Sequence, residues 1–505
     1  MTSAISASLD RYFHITERGS TITTEIRAGI SSFLTMSYVI LVNPQMMSLT
    51  SLPSSSSVLS TCLSSSLASL LVGLIGNLPF GLAPGMGLTA YLVYGLVLAD
   101  VMTLKMSMTA CFISGILMGL FALTGVSRVV MGIVPMSVKL AIVVGMGILV
   151  SMIGMVSVGL VVGNEKTLVG LGDLTNVDLI ISLFGLVLIG SLVYHNIKGG
   201  ILIGITILTT IFWFLDDSFP EKILEFPKME TQISDFVDLN YVLDPNHLKV
   251  MLPAISSFVF IGIFDVSGVM FGLSALADLM NEDGTIPGSL WGFLASAAGT
   301  ILASLTGCTP IIVTVECAAG IKEGGRTGLT AVTVGILFLV SIFLAPLLGS
   351  VPKGATAPVL MLVGSMMMSE SKNINWDDMA SAIPAFLTVV MMPLTYSITN
   401  GIVFGLVSAF CFYFTTGKFF GDLRRWVRGI EEREQGYDEE SQSLTGKGLK
   451  KTNSFVGENG TVVRRPSFLL SEGDIEKIDM QEKNFGGGKS GGGGGKGGYG
   501  SVVIS

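Results

Sequence analysis

One stretch decides the fold, and it reads GCTPIIVTVECAAG at residues 307–320. It interrupts an apolar part of the chain with a glycine, a proline and the carboxylate of Glu316. A helix broken in this way at membrane depth is tolerated only where protein or a cavity supplies the missing hydrogen bonds. The stretch therefore predicts a pocket.

A similar pattern occurs in the first half of the chain. GCTP at 307–310 shares the Gly-x-x-Pro spacing of GLAP at 81–84, and the offset is 307 − 81 = 226 residues. Two interrupted apolar segments at matching positions of two halves point to a transporter site between inverted repeats. Chance is the alternative, because Gly-x-x-Pro is a short pattern. At this offset Glu316 falls opposite Ala90, so only the second half brings a charge.

The composition indicates a polytopic membrane protein. Of the 505 residues 50% are hydrophobic and 13% are charged, whereas about a quarter of the residues of a soluble domain are charged. The net charge of −8 is spread over loops and the C-terminal region, and without a basic patch we expect no nucleic acid as partner. All five cysteines fall in apolar segments and are interpreted as buried hydrophobes, and three scattered histidines predict no metal site. We expect no cofactor.

Fourteen apolar runs form two sets of seven. The first seven are 26–47, 58–76, 85–98, 106–123, 138–162, 179–194 and 201–215. The second seven are 254–276, 290–305, 311–321, 329–348, 356–368, 379–396 and 402–415. The third run of each set is too short for a full span of about 20 residues. An odd number of spans per half inverts the second repeat relative to the first, which brings both broken segments to the midplane.

These runs predict an all-α membrane protein organised in five regions. They are a cytoplasmic N-terminal segment 1–25, a first transmembrane repeat 26–215, an extracytoplasmic acidic loop 216–250, a second repeat 251–417 and a disordered cytoplasmic tail 418–505. The positions of Lys and Arg predict that both termini are cytoplasmic. We expect a multi-pass protein of the plasma membrane.

Two carboxylates, Glu316 and Asp265, stand inside predicted spans. An acidic side chain at a helix centre costs about 2.5–3.5 kcal/mol on insertion scales, which makes both functional candidates. We predict that Glu316 is the main substrate acceptor and that Asp265 is a second contact, either of them able to couple transport to protons. A structural hydrogen bond between spans is the alternative. Asp265, Gly268 and Gly272 share one helical face, which predicts the close approach of another helix.

The extended stretch before each half-helix would offer backbone N–H and C=O groups to a planar heterocycle, beside helix N-termini. The candidate substrate site therefore also takes residues from both stretches and from the first half-helix. They are Pro84, Gly85, Thr89, Thr309, Pro310 and Ile311.

At these residues the chain resembles the nucleobase/ascorbate transporter superfamily, in particular its AzgA-like purine permease branch. The matching stretches are TMSYVILVNP at 35–44, APGMGL at 83–88, Phe264-Asp265, VECAAG at 315–320 and EGGRTGLT at 323–330. The resemblance implies fourteen spans in two inverted repeats, a broken third span in each, core and gate domains, and a homodimer. It also implies proton-coupled import of purine bases, of the hypoxanthine, adenine and guanine class, by an elevator-type movement.

In such proteins the acidic residue matched by Glu316 contacts the base, and acidic residues of the eighth span, here Asp265, assist. The chain departs from the pattern at three places. Gly262 stands where relatives often have a second acid, Thr89 stands where they often have Asn, and residues 311–313 replace a strand richer in Thr or Ser. The departures affect the identity of the base more than the class of protein.

Three alternative functions remain at this level. A carrier of the same fold could move an anion or another small solute, although such carriers normally add a regulatory domain and Glu316 would repel an anion. A non-transporting membrane sensor would fit the loss of polar contacts. An enzyme is the weakest alternative, because the sequence shows no nucleophile beside a base, no cofactor loop and no metal cluster.

Overall fold

The computed structural model describes residues 2–125, 134–164, 166–216, 219, 236–281 and 285–417. The predicted tail, 418–505, lies outside the described residues, as does most of the predicted acidic loop, at 217–218 and 220–235.

The first half contains nine α-helices and three short strands in its described part. In chain order they are α1 (Thr2–Phe13), α2 (Ile22–Met36), α3 (Val39–Ser48), α4 (Ser54–Leu74), β1 (Leu82–Pro84), α5 (Met86–Ala90), α6 (Leu104–Thr124), α7 (Met136–Ser157), β2 (Val161–Asn164), β3 (Leu168–Leu171), α8 (Val177–Tyr194) and α9 (Gly200–Asp216). Helix α5 continues directly into a π-helical segment, Tyr91–Val97. The β2–β3 hairpin was not predicted, and it explains why α7 ends at Ser157 rather than near 162.

The second half repeats the order of a long helix pair, a short strand and a half-helix. Its elements are α10 (Asn240–Leu243), α11 (Pro245–Leu276), α12 (Ser289–Thr306), β4 (Ile311–Val313), a 3-10 turn (Val315–Cys317), α13 (Ala318–Lys322), α14 (Gly328–Ser341), α15 (Ala345–Gly349), α16 (Lys353–Met367), α17 (Met379–Thr395) and α18 (Ile398–Thr415). Helix α11 begins at Pro245, so the helical part of the second repeat starts inside the interval predicted as loop.

Each of the fourteen predicted apolar runs contains helical structure. Within the described residues nine helical segments are long and apolar enough to cross a membrane, and three shorter apolar helices accompany them. The two remaining runs are the broken segment at β4 and α13, and the 15-residue helix α16. The helical membrane fold is as predicted, while the count of fourteen full spans stays a prediction.

The helices pack as two bundles, which correspond to the predicted core and gate domains. The core bundle consists of α2, α3, α4, α6, α11, α12 and α14, with the broken segments at its centre. The gate bundle consists of α7, α8, α9, α16, α17 and α18.

Glu25 ties the first helix of the core bundle to the last one. Its side chain is fully buried on α2 and accepts hydrogen bonds from the N–H groups of Arg326 (2.9 Å) and Thr327 (3.2 Å) and from the Thr330 hydroxyl (2.6 Å). Residues 326–327 precede α14, so the carboxylate satisfies backbone donors at the N-terminus of that helix and complements its dipole. Gly328 completes the junction by donating to the Asn77 side chain (2.7 Å).

Replacing Glu25 should destabilise the fold more than replacing an exposed glutamate. Glu25→Ala removes the acceptor of three donors, and each buried donor left unpaired costs about 1–3 kcal/mol. We expect a lower melting temperature for this variant in a thermal-shift measurement on detergent-purified protein. Glu17→Ala is the control, because the Glu17 side chain is 78% exposed. Equal melting temperatures for the two variants would contradict the role of Glu25.

Candidate functional site

The two broken segments meet as a two-stranded antiparallel sheet. Leu82 pairs with Val313, Ala83 with Ile312 and Pro84 with Ile311. The pairing is extended at both ends, where the Gly85 N–H donates to the Pro310 carbonyl (3.1 Å) and the Thr314 N–H donates to the Gly81 carbonyl (3.3 Å). The predicted meeting of the two segments is confirmed.

The free edges of this sheet are satisfied by hydroxyl groups from equivalent helices. Ser69 of α4 accepts from the Leu82 N–H (2.9 Å), and Thr300 of α12 accepts from the Ile311 N–H (3.0 Å). Ser296, also on α12, donates to the Ile311 carbonyl. An extended segment in an apolar environment needs such partners, because an unpaired backbone group there costs several kcal/mol.

The register of the two halves differs from the one that the sequence predicted. The strands begin at Leu82 and Ile311, so the structural offset is 311 − 82 = 229 residues. Pro84 lies within its strand, whereas Pro310 precedes the other strand. Gly307 ends α12 in a left-handed conformation (φ 89°) and therefore belongs to a helix end. With this offset Glu316 lies opposite Gly87 (316 − 229 = 87) rather than Ala90.

A buried hydrogen-bond network surrounds Asn43 and uses two of the predicted site residues. The hydroxyls of Thr89 (2.8 Å) and Thr309 (2.9 Å) donate to Asn43 Oδ1, and the two hydroxyl oxygens lie 2.7 Å apart. Asn43 Nδ2 donates to Thr61 (2.8 Å) and to the Cys308 sulfur (3.3 Å). All five side chains are fully buried. The network joins the first half-helix to the segment before β4, so it fixes the positions of the two broken segments relative to each other.

Glu316 is held by the first membrane helix. The Tyr38 hydroxyl donates to Glu316 Oε1 (2.6 Å), and the Thr35 hydroxyl donates to the Glu316 backbone carbonyl (3.2 Å). Tyr38 is buried, while Glu316 is partly exposed. Within the described residues Tyr38 is the only side chain that donates a hydrogen bond to the carboxylate.

Asp265 lies in a cleft between the two bundles. The cleft has a volume of about 1180 Å³ and is bounded mainly by apolar side chains of α7, α11 and α12 and by Val315 and Ala318, on either side of Glu316. The Asp265 side chain is partly exposed and has no hydrogen-bond partner among the described residues. Concave, mostly apolar pockets with few polar groups are typical of small-molecule sites.

The face of α11 that carries Asp265 does not pack as predicted. Gly268 and Gly272 line the same cleft, and a methyl group added at either position would meet no atom within 4 Å. The expected close approach of another helix at these glycines is therefore wrong. The spacing identified the face correctly, but that face borders open space.

The structure thus distributes the predicted residues over two layers. The sheet is formed or flanked by Pro84, Pro310 and Ile311. The first half-helix is capped by Gly85. The Asn43 network includes Thr89 and Thr309, whose hydroxyls both donate to Asn43. Two further residues were missed, Tyr38 and Asn43. Both lie in the 35–44 stretch, where a polar side chain inside an apolar run was an available signal.

Comparison with known proteins identifies the class. Residues 23–404 match the model of a family described as the permease family. The chain belongs to this family. The permease is 35% identical over 410 residues to the adenine permease AdeP of Escherichia coli, which covers 81% of this chain and 91% of that protein. It is 33% identical over 401 residues to the guanine/hypoxanthine permease PbuO of Bacillus subtilis, with coverage of 78% and 92%.

These relatives confirm the resemblance to purine permeases of the nucleobase/ascorbate superfamily and show that the protein is a transporter rather than an enzyme. Among solved structures, the transmembrane domain of a cyanobacterium bicarbonate transporter, BicA, matches with a TM-score of 0.56. The match covers 76% of this chain and 97% of that domain at 16% identity, so it shows a common fold and nothing more.

Tyr38→Phe should weaken transport through its effect on Glu316. A hydrogen bond to a charged group contributes about 1.5–3 kcal/mol, so loss of the phenol hydroxyl should raise the half-saturating concentration at least about tenfold if this orientation of Glu316 serves binding. The half-saturating concentration is measured from the uptake of labelled adenine in permease-deficient cells. Tyr194→Phe is the control, since Tyr194 is 81% exposed at the end of α8. An unchanged concentration dependence in Tyr38→Phe would show that Tyr38 does not position the acceptor.

Proposed function

We propose that this permease imports purine nucleobases of the hypoxanthine, adenine and guanine class by symport with protons. The observation that supports it most directly is the Asp265 carboxylate, without a hydrogen-bond partner among the described residues, in an apolar cleft beside the Glu316 segment. Relatives named as purine permeases supply the class of substrate.

Purine bases present ring N–H donors at their edges, adenine and guanine add an exocyclic NH2 group, and an ionised carboxylate is a pure acceptor. In this proposal Glu316 is the main acceptor through Oε2, and Asp265 is the second contact. Protonation turns a carboxylate into a donor as well. One of the two side chains can then accept from the base while the other holds the proton, so base and proton are bound together, as symport requires.

The orientation we propose places both termini in the cytoplasm and the protein in the plasma membrane. Lys198, Lys322, Arg326 and Lys372 then face the cytoplasm, in line with the positive-inside tendency. The cleft mouth includes Gly125, Ser289 and Glu370, which follow or precede spans on the same side. The structure then corresponds to an inward-facing state.

An elevator-type movement requires that the two bundles separate and slide. Thr399 lies in the first turn of α18, in the gate bundle. Its hydroxyl contacts the Tyr91 hydroxyl (2.5 Å) and the Ser257 hydroxyl (2.7 Å) of the core bundle. At another place, Lys198 of the gate bundle pairs with Glu323 of the core bundle (2.8 Å). These contacts must break during such a movement.

The ion pair at Glu323 does not supply a proton-coupling group. Burial opposes its charge, but Lys198, Ser31 and Arg27 outweigh burial and hold the pKa of Glu323 below its usual value. A lowered carboxyl pKa means that the pair is intact at neutral pH and is lost only as the pH falls through that lowered value. A pH dependence of uptake near neutrality would therefore arise elsewhere.

Apolar side chains such as Val187 on α8 and Phe410 on α18 are exposed. Lipid or a second copy of the chain would cover them, and a homodimer is part of the proposal. The shared fold with a bicarbonate transporter does not favour anion transport here, because the ionisable side chains among the described residues that line the cleft, Asp265 and Glu370, are both acidic.

Uptake of labelled hypoxanthine, adenine, guanine, xanthine and uracil in a permease-deficient cell tests the substrate. We expect saturable purine uptake that a protonophore abolishes, and at least a tenfold loss in Glu316→Gln and Asp265→Asn at unchanged surface expression. Glu17→Gln serves as the exposed control. Absence of uptake for every base, with the protein at the surface, would refute the proposal.

The hydroxyl contact between the bundles is tested by thiol labelling. Met46 is buried and lines a small groove between α3, α7 and α16, which the proposed movement would open. In a Met46→Cys, Cys411→Ser background, Thr399→Val should raise the labelling rate by an impermeant reagent about fivefold, because a hydrogen bond contributes about 1 kcal/mol. Cys411 is replaced because it is exposed.

Thr399→Ser keeps the hydroxyl and should label at the parent rate. A Thr399→Val rate equal to that of Thr399→Ser would show that the hydroxyl does not hold the bundles together.

A further inference from the structure

Two glycines of α11 extend the cleft along the helix from Asp265. Asp265, Gly268 and Gly272 stand at i, i+3 and i+7, and all three line the cleft. A helix-interior glycine costs about 0.5–1 kcal/mol relative to alanine. A close contact that a side chain would obstruct is one reason for such a glycine.

Neighbouring glycines of the core bundle do show such contacts. A methyl group at Gly292 would lie 2.7 Å from the Met270 sulfur, and one at Gly299 would lie 2.8 Å from Ala68 Cβ. At Gly268 and Gly272 nothing lies within 4 Å. Helix packing therefore accounts for Gly292 and Gly299 and does not account for Gly268 and Gly272.

The space beside these two glycines, called the slot below, is the part of the cleft that borders α11. Leu140 and Val143 of α7 and Phe293 of α12 line the same cleft. Asp265 and Glu370 are the acidic side chains among the described residues that line the cleft, and Asp265 shares a face of α11 with the two glycines. A flat aromatic ring fits the apolar walls of the cleft, since ring faces are apolar while ring edges carry the donors.

We propose that Gly268 and Gly272 are specificity-determining residues, and that their side-chain-free wall takes the second ring of a bicyclic base whose hydrogen-bonding edge meets Asp265. This inference rests on the proposed function. A single-ring base held at the carboxylate leaves the slot empty. Side chains at 268 or 272 would occupy the volume of the second ring and leave the carboxylate in place.

Substitutions that fill the slot test the proposal by competition. The inhibition constants of hypoxanthine and uracil against labelled adenine uptake are measured for the parent protein and for Gly268→Ala, Gly268→Leu, Gly272→Ala and Gly272→Leu. One methylene in an apolar pocket changes selectivity by about 10–200-fold. We therefore expect the hypoxanthine-to-uracil ratio of inhibition constants to rise at least about tenfold in the leucine variants, and less in the alanine variants.

Stability provides the second measurement. Because a methyl group at either position meets open space, both alanine variants should melt at or above the parent temperature. Gly190→Ala and Gly190→Leu are matched controls on α8, since Gly190 also has nothing within 4 Å and lies away from the cleft. The controls should leave the ratio unchanged.

The outcomes separate this inference from the proposed function. Parent protein that takes up purines while the leucine variants keep the parental ratio contradicts the slot and leaves the function intact. Alanine variants with a lower melting temperature would show that the glycines serve packing, which also overturns the inference. Parent protein at the cell surface that takes up no purine would refute the function and the slot together.

Discussion

The backbone pairing of β1 with β4 is the constraint on which the rest of the structure depends. Extended backbone at membrane depth cannot leave its N–H and C=O groups unpaired. Each strand is three residues long and comes from a different half of the chain. Neither strand is stable by itself, so the two halves of the chain must assemble around this pair. The half-helices that follow, at Met86 and at Val315, then start at fixed positions on either side of one centre.

Hydrogen-bonded polar groups lie behind this centre, whereas Asp265 in the cleft in front of it has no hydrogen-bond partner among the described residues. Ser69 and Thr300 cap the two sheet edges, and Asn43 gathers Thr89 and Thr309 in a fully buried network. Fully paired networks of this kind stabilise one arrangement, because breaking any member leaves a costly unpaired group. The capped sheet and the Asn43 network together explain how a segment with so many breaks can hold Glu316 in place.

The sequence predicted the helices and the two interruptions and singled out Asp265 as a functional candidate, because apolar periodicity and the cost of a buried charge are local signals. It predicted the wrong register, since Gly307 and Gly81 look alike in sequence while one ends a helix and the other precedes a strand. Strand register depends on hydrogen bonds to partners 227–231 residues away, which no local pattern reports. The same limit applies to Gly268, where spacing identified a face but not what lies opposite it.

The two carboxylates differ in a way that bears on coupling. Glu316 has one oxygen occupied by Tyr38, so part of its cost of burial is offset before a ligand arrives. Asp265 lacks such a partner among the described residues, and in its ionised form it depends on its exposure to the open cleft. Closing the cleft without a ligand would bury the ionised carboxylate of Asp265 without a partner, which is costly. A bound base would pair with this carboxylate, and a proton would neutralise it. An unloaded protein is thereby disfavoured from crossing between states with Asp265 ionised, which is one of the conditions of the proposed symport.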